Sequence, residues 1–427
     1  LLAIRVEPGQ NLDKSLASAS SSLKALIKTA SDEGILRIVA APSSESIMSL
    51  LMVFSVLSRR GVSVVASVSP KPPSTIYEPT LLLGFPSPLG YTNDTVKDQL
   101  VLISQGTVEP PPLNASYVSC DGSIGACAYM ILKGANQFSI EPEYAVLSIS
   151  SSYASNYMDK AGKVSGLDKI LTSSLAADEK VSLFMLTSLK GYRAHILDLC
   201  ESIKITVDPF YPGLTGTNYC VELLESNGAG ELAMKKPSSM DEEELGVAAK
   251  IMLSYLKDRL KRQLDVKDFV GGVYLASEKL IITDPKEALN LVEFASDTWG
   301  LQSAIALTSN YDEEYPQAAS QLKAVAETLT ETIDNARLVD LGPLNGVKVY
   351  SIKDLSERAP LQLLWRALKL LGYVDQHSYI AVESEGGLLL SMPQVYESTG
   401  HLVLQRLSEF EGAEVRGVRL WLPRSQK

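Results

Sequence analysis

The sequence predicts an α/β protein: a doubly wound parallel sheet, a helical connector, and a smaller α/β domain with a mixed sheet. Three observations carry this. The runs GVSVVASV (61–68), EPTLLLGF (78–85) and DQLVLISQG (98–106) are short and apolar, the pattern of strands buried on both faces. Helical patterns alternate with strand-like runs near the start, and such alternation implies parallel pairing. The alternation lapses, then resumes beyond a long charged helix.

Taken in order, Leu16, Ala19, Leu23, Leu26, Ile27 and Ala30 fall at helical spacing and predict a helix over 13–33. A strand at 35–40 enters the turn APSSES, and a second helix follows over 44–59. From 123 to 225 the pattern is mainly helical, with breaks at SSSYASN, SLAADEK and VDPFYPGLTG. In KKPSSMDEEELGVAAKIMLSYLKDRLKRQL, Ser239 and Glu242 read as a capping box ahead of the connector helix. Beyond it, strands are expected near 269–275, 302–307, 346–351, 378–384 and 387–391. Helices are expected near 285–298, 359–371 and 397–409, and Leu322, Val325, Leu329, Ile333 and Ala336 mark one more. VRGVRLWLP closes the chain as a final strand. The expected division is 1–225, a connector at 226–266, and 267–427.

The 427 residues are 45% hydrophobic, ample for a core, yet no apolar run approaches the roughly 20 residues that cross a bilayer. LLAIRVEPGQ turns polar too soon for a secretory signal, so an intracellular, cytoplasmic setting without a membrane partner is expected. There the matches at Asn93 and Asn114 to the glycosylation pattern are read as chance. The formal charge of −11 argues against broad coating of duplex nucleic acid. Cys120, Cys127, Cys200 and Cys220 show neither C-x-x-C nor zinc spacing and read as buried free thiols.

The common catalytic signatures are missing. There is no P-loop, G-x-G-x-x-G, H-E-x-x-H or G-x-S-x-G, and His195, His377 and His401 stand apart in sequence. Asp121, beside Gly122, reads as a turn or capping acid.

The order and spacing of these segments resemble the DHH phosphoesterases, especially the RecJ-like exonucleases and the related cell division cycle 45 replication factors. In that family the first strand ends in D-x-D-A-D-G, whose aspartates hold manganese; the equivalent stretch here is Ala41-Pro42-Ser43-Ser44-Glu45-Ser46. The aspartate positions therefore fall on Ala41, Ser43 and Glu45, and the next acid aligns with Leu83. The namesake D-H-H aligns with Ser104-Gln105-Gly106, and the last metal aspartate with Ser152. PPPLNASYVSCDGSIGACAYMIL (110–132) and VDPFYPGLTG (207–216) resemble the family's asparagine-bearing turn and its proline-glycine turn. Later, Met392-Pro393 and Gly412-Ala413-Glu414 stand where a DHH-associated domain carries S-x-R and G-G-H.

Two manganese ions need several hard anionic or imidazole ligands in one small space. Serine, alanine, leucine and glycine supply neither charge nor basicity. The resemblance therefore implies a DHH-like domain and a DHH-associated-like domain without catalytic, metal or cofactor residues. It implies a RecJ-like replisome scaffold of the archaeal cell division cycle 45 type. Such a scaffold binds GINS, reaches the MCM helicase through GINS, and works at the nucleoid. The alternative is a divergent metal-dependent phosphoesterase or single-strand exonuclease using Glu45, Asp121 and other acids. A third reading is a single-stranded DNA module, with Arg416, Arg419, Trp421 and Arg424 as candidate contacts. Alternation places Arg419 and Trp421 on one strand face, opposite Leu420 and Leu422.

Overall fold

The computed structural model describes residues 2–87, 89–106, 109–135, 140–344 and 346–424. They form two compact units. The first comprises residues up to Asp159, Val164–Leu183 and Leu301–Tyr311; the second comprises Lys160–Lys163, Phe184–Gly300 and Asp312 onward.

The first unit opens with β1 (Leu2–Val6), α1 (Leu12–Glu33), β2 (Leu36–Ala40), α2 (Ser44–Ser58), β3 (Val64–Val68), β4 (Thr80–Leu83), β5 (Leu100–Gln105) and β6 (Ala115–Cys120). Then come α3 (Ile124–Gly134), α4 (Pro142–Tyr153) and α5 (Gly166–Ala176). The six strands make one all-parallel sheet in the order β1-β6-β5-β4-β2-β3. β4 is buried along its whole length, as a strand covered on both faces must be. From β2 the chain steps out to β3 on one side and returns to β4 on the other. The carboxyl ends of β2 and β4 thus flank a topological switch point, where open α/β sheets place their sites.

The second unit holds β7 (Phe184–Leu189), α6 (Leu199–Ile205), α7 (Tyr219–Ser226), α8 (Glu242–Lys257), α9 (Val266–Phe269), β8 (Val270–Leu275) and α10 (Pro285–Thr298). Helix α11 (Leu301–Ser309) belongs to the first unit, and α12 is Tyr311–Ser320. The remainder is α13 (Leu322–Asp334), β9 (Leu338–Leu344), β10 (Val347–Ile352), α14 (Leu361–Leu371), β11 (Tyr379–Ser384), β12 (Gly387–Ser391), α15 (Met392–Thr399), α16 (His401–Ser408), β13 (Glu414–Arg416) and β14 (Arg419–Pro423). β7 and β8 pair antiparallel, and the other six strands form a mixed sheet, β13-β14-β12-β11-β10-β9, in which only β10 and β11 run parallel. Helix α8, expected as a connector, buries Ala248, Met252 and Leu256 in a cluster with Ile203, Tyr211 and Phe269. Asp208, in the VDPFYPGLTG turn, meets Arg366 at 3.4 Å; the same guanidinium reaches Glu293 at 2.7 Å and Glu397 at 3.0 Å. One cation thereby joins that turn to α10, α14 and α15.

Several expectations are corrected. Residues 302–307 are helical, not a strand: a short apolar run does not declare its period, and Ser55 Oγ on α2 bonds Thr308 Oγ1 at 3.1 Å. The capping box is Asp241 with Glu244, because the helix begins two residues later than the Ser239 pattern implies. The helix expected over 397–409 is two helices, α15 and α16, meeting at Gly400. The final strand is a hairpin, β13 and β14, around Gly417. The cysteines are not free thiols but two disulfides, Cys120–Cys127 and Cys200–Cys220. No described helix is long and apolar enough to cross a membrane.

Candidate functional site: a buried polar network at the sheet's carboxyl end

β2 ends at Ala40, and the Ala41 amide donates to the Leu83 carbonyl at 2.9 Å, holding the turn against the end of β4. Ser43 caps α2: its Oγ accepts from the Ser46 amide at 3.1 Å and donates to Ser46 Oγ at 2.7 Å. Gly84 follows β4 with φ +75, and a Cβ there would collide with Ser46 Oγ. Glycine is required at this position on both counts.

Glu45, in the first turn of α2, carries the centre of the site. Its Oε1 accepts from the Ile124 amide at 2.6 Å and from Gln105 Nε2 at 2.8 Å; Gln105 also donates to the Gly122 carbonyl at 3.2 Å. The carboxyl thus sits on the amide that opens α3, where a helix N-terminus attracts negative charge. Burial is nevertheless the larger influence and pushes its pKa up to about 8; the Ile124 bond opposes this and the neighbouring Asp168 charge adds to it. Near neutrality the group is largely a neutral acid.

Asp168, on α5, completes the arrangement. It accepts from the Ser123 amide at 2.7 Å and the Ser123 hydroxyl at 2.6 Å, and from the Ser152 hydroxyl. Ser151 Oγ donates to Ser123 Oγ at 3.1 Å, and Gly125 lets α4 approach, since a Cβ would meet Ser151. Burial raises the Asp168 pKa against the lowering effect of the serine hydroxyls and the Ser123 amide.

The structure therefore brings Ala41, Ser43, Glu45, Leu83, Ser104 and Gln105 to the ends of β2, β4 and β5, and ties Ser152 in through Asp168. The Ser104 side chain is fully buried, and its hydroxyl has no hydrogen-bond partner among the described residues. Gly106 lies one residue beyond β5, exposed, and its carbonyl accepts from the Ser119 hydroxyl. Asp121 is exposed just beyond β6, and its carbonyl accepts from the Leu167 amide at 2.7 Å. Sequence reasoning missed Asp168, Ser123 and Ser151. A signal existed for Asp168, which lies on the buried stripe with Leu171, Thr172 and Leu175, where helical spacing otherwise places apolar residues.

These residues do not fit a two-metal centre. The carboxyl groups buried in the network are Glu45 and Asp168; Glu45 Oε1 and both oxygens of Asp168 already serve internal donors. Ala41 and Leu83 offer no donor, and the serines only neutral hydroxyls. Among the described residues no group of three or more histidine, cysteine, aspartate or glutamate side chains is placed to hold a metal ion.

The candidate nucleic-acid contacts are rearranged by the hairpin. Arg419 is buried, not solvated: its Nε lies 2.9 Å from Asp297 Oδ1, and its remaining nitrogens donate to the Glu357 and Ala359 carbonyls. Alternation groups Arg419 with Trp421 on one face, but it does not reveal that Asp297 and two backbone carbonyls enclose the guanidinium. Arg416 pairs with Glu414 at 2.7 Å and lies 5.1 Å over the Trp421 ring; Arg424 pairs with Glu383.

No family model matches this chain, and no curated protein matches it. Among solved structures it is similar to CDC45 from Entamoeba histolytica, with 11% identity, a TM-score of 0.55, and coverage of 95% of both chains. It is also similar to exonuclease RecJ bound to manganese, at 11% identity and a TM-score of 0.35 over 96% of this chain and 89% of that one. A third likeness is to RecJ in complex with Mn2+ from Thermus thermophilus, at 9% identity and a TM-score of 0.39 over 96% and 52%. The 0.55 likeness shows the fold alone: an all-parallel sheet and, later in the chain, an α/β region with a mixed sheet.

Proposed function

We propose that this chain is a non-catalytic, RecJ-like replisome scaffold of the CDC45 type, which binds GINS and through it supports the MCM helicase in DNA replication. The observation that supports this most is the Gln105–Glu45–Ile124 arrangement. Where the family's aspartates and histidines would hold manganese, a largely neutral carboxyl accepts from a side chain on β5 and from the amide that opens α3. A fold whose site has been converted into internal structure has adhesion left to offer. The acidic character of the chain suits work through protein contacts, since it discourages attachment to phosphates. We place the protein in archaea and at the nucleoid on the same reading. Single-stranded DNA is a secondary partner, for which the Arg416–Trp421 pair, with Arg424, is the candidate surface.

The test is twofold. Purified chain is expected to retain GINS in a pull-down, and to carry MCM only when GINS is present; failure with GINS sinks the scaffold reading. Manganese titration followed by calorimetry is expected to show no micromolar binding. Saturable uptake with chelator-sensitive release of nucleotides from single strands would instead establish the divergent exonuclease.

A further inference from the structure

In the second unit, the end of α10, helix α13, the segment after β10 and helix α14 enclose a half-open cleft of about 780 Å³. Its floor is apolar, built by Phe294, Val325, Leu329 and Leu364. Three cations line it: Arg337 before β9, Lys353 after β10, and Arg358 ahead of α14. Arg337 and Lys353 are held side by side, the Lys353 amide donating to the Arg337 carbonyl. Glu331 and Asp354 also line the cleft, yet none of the three cations forms an ion pair among the described residues. The Thr298 hydroxyl, in the wall, is buried without a partner among those residues.

These features point one way. A cavity of this volume falls within the range of pockets that enclose small ligands, which are largely apolar with a few convergent polar groups. Unpaired guanidinium groups bind carboxylates and related anions bidentately, and a buried hydroxyl without a partner gains from any acceptor brought to it. In a chain of net charge −11, three uncommitted cations around one apolar recess select for negative charge locally against the overall field.

We propose that this cleft is a binding site for a small amphipathic anion. The apolar body of the ligand rests on Phe294, Val325, Leu329 and Leu364, its anionic group faces Arg337, Lys353 and Arg358, and an acceptor on the body takes the Thr298 hydroxyl. The cleft belongs to the second unit and the network around Glu45 to the first, and the proposal stands whether or not the scaffold reading holds.

The full chain is titrated with anilinonaphthalene sulfonate and with its neutral analogue N-phenyl-1-naphthylamine, reading the fluorescence of each. One equivalent of the sulfonate is expected to bind saturably, about tenfold more tightly than the neutral probe. Arg358→Glu and Lys353→Glu should each weaken the sulfonate by roughly fivefold to tenfold while leaving the neutral probe unchanged, with unaltered melting temperature. Ala324→Trp, at an exposed position on the cleft wall, should block both probes, and dodecanoate should displace the sulfonate. Equal binding of the two probes, indifference to the charge reversals, or a sulfonate site that survives Ala324→Trp would overturn the proposal. So would an acidic apolar peptide that displaces the probe at about tenfold lower concentration than dodecanoate, which would make the cleft a protein-docking surface.

Discussion

Gln105 Nε2 donates to Glu45 Oε1 at 2.8 Å, joining the end of β5 to the first turn of α2 across the switch point of the parallel sheet. The same oxygen also accepts from the backbone amide of Ile124. The polar groups at this end of the sheet thus hold the fold together, and their chemistry is measured through stability.

Replacing Glu45 with glutamine should make the protein more stable at alkaline pH. The folded-state pKa of Glu45 is raised to about 8 from an ordinary value near 4.5, mainly by burial. The stability linked to this proton is fully present below pH 4.5 and is lost as pH rises through 8. Glu45→Gln keeps the acceptor and removes the ionisation. The variant should match the parent near pH 5 and exceed it by roughly 2 to 4 kcal/mol near pH 9. Urea unfolding across that range checks this; parallel curves for the two proteins would show that Glu45 ionises without cost.

The disulfides should contribute separately to stability. Cys120–Cys127 closes a separation of 7 residues and pins the turn that carries Gly122 and Ser123; Cys200–Cys220 closes a separation of 20 and joins α6 to α7. Chain-entropy arguments assign about 2 and about 3 kcal/mol to loops of these lengths. Alkylation without reductant should leave all four cysteines unmodified by mass spectrometry, and reductant should lower the melting temperature by several degrees. Full alkylation of the untreated native protein would refute the pairing.

Much of this architecture was legible in the sequence, for identifiable physical reasons. Leu322, Val325, Leu329 and Ile333 repeat at helical spacing and form the buried stripe of α13. The runs around Thr80–Leu83 and Leu100–Gln105 are apolar without alternation, as strands covered on both faces must be. β6, ASYVSC, was hidden because serines interrupt its apolar residues, although Ser119 is buried within the sheet. At the site, the apolar runs locate the carboxyl ends of β2, β4 and β5, where Ala41, Ser43, Leu83 and Ser104 lie. What could not be read was how the remaining polar atoms satisfy one another, since Asp168 reaches Ser123 across 45 residues of chain.

Arg419 and Arg416, close in sequence, should behave oppositely. Arg419 is buried against Asp297 and two carbonyls, so Arg419→Ala leaves a carboxylate without its counter-charge and should cost about 3 to 5 kcal/mol. Arg416 is exposed beside Glu414, and Arg416→Ala should change stability by no more than about 0.5 kcal/mol. If the hairpin contacts single strands, Arg416→Ala weakens that binding and flattens its salt dependence with the fold intact. Loss of binding only in Arg419→Ala, accompanied by unfolding, would remove the hairpin from consideration as a DNA surface.

Asp168 offers the sharpest test of whether the network is structural. It is fully buried and is the shared acceptor for the Ser123 amide, the Ser123 hydroxyl and the Ser152 hydroxyl, so its loss strands three donors at once. Buried donors without acceptors are costly, whereas a substitution that keeps one carbonyl oxygen retains part of the arrangement. Asp168→Ala should therefore destabilise by about 3 to 5 kcal/mol, and Asp168→Asn by roughly half as much. In the double variant with Ser152→Ala the two losses should fall short of additive, because the second removes a donor already stranded by the first. Additive losses would mean that Asp168 and Ser152 act independently, and that the hydrogen-bonded chain from Glu45 to α4 is not a single unit.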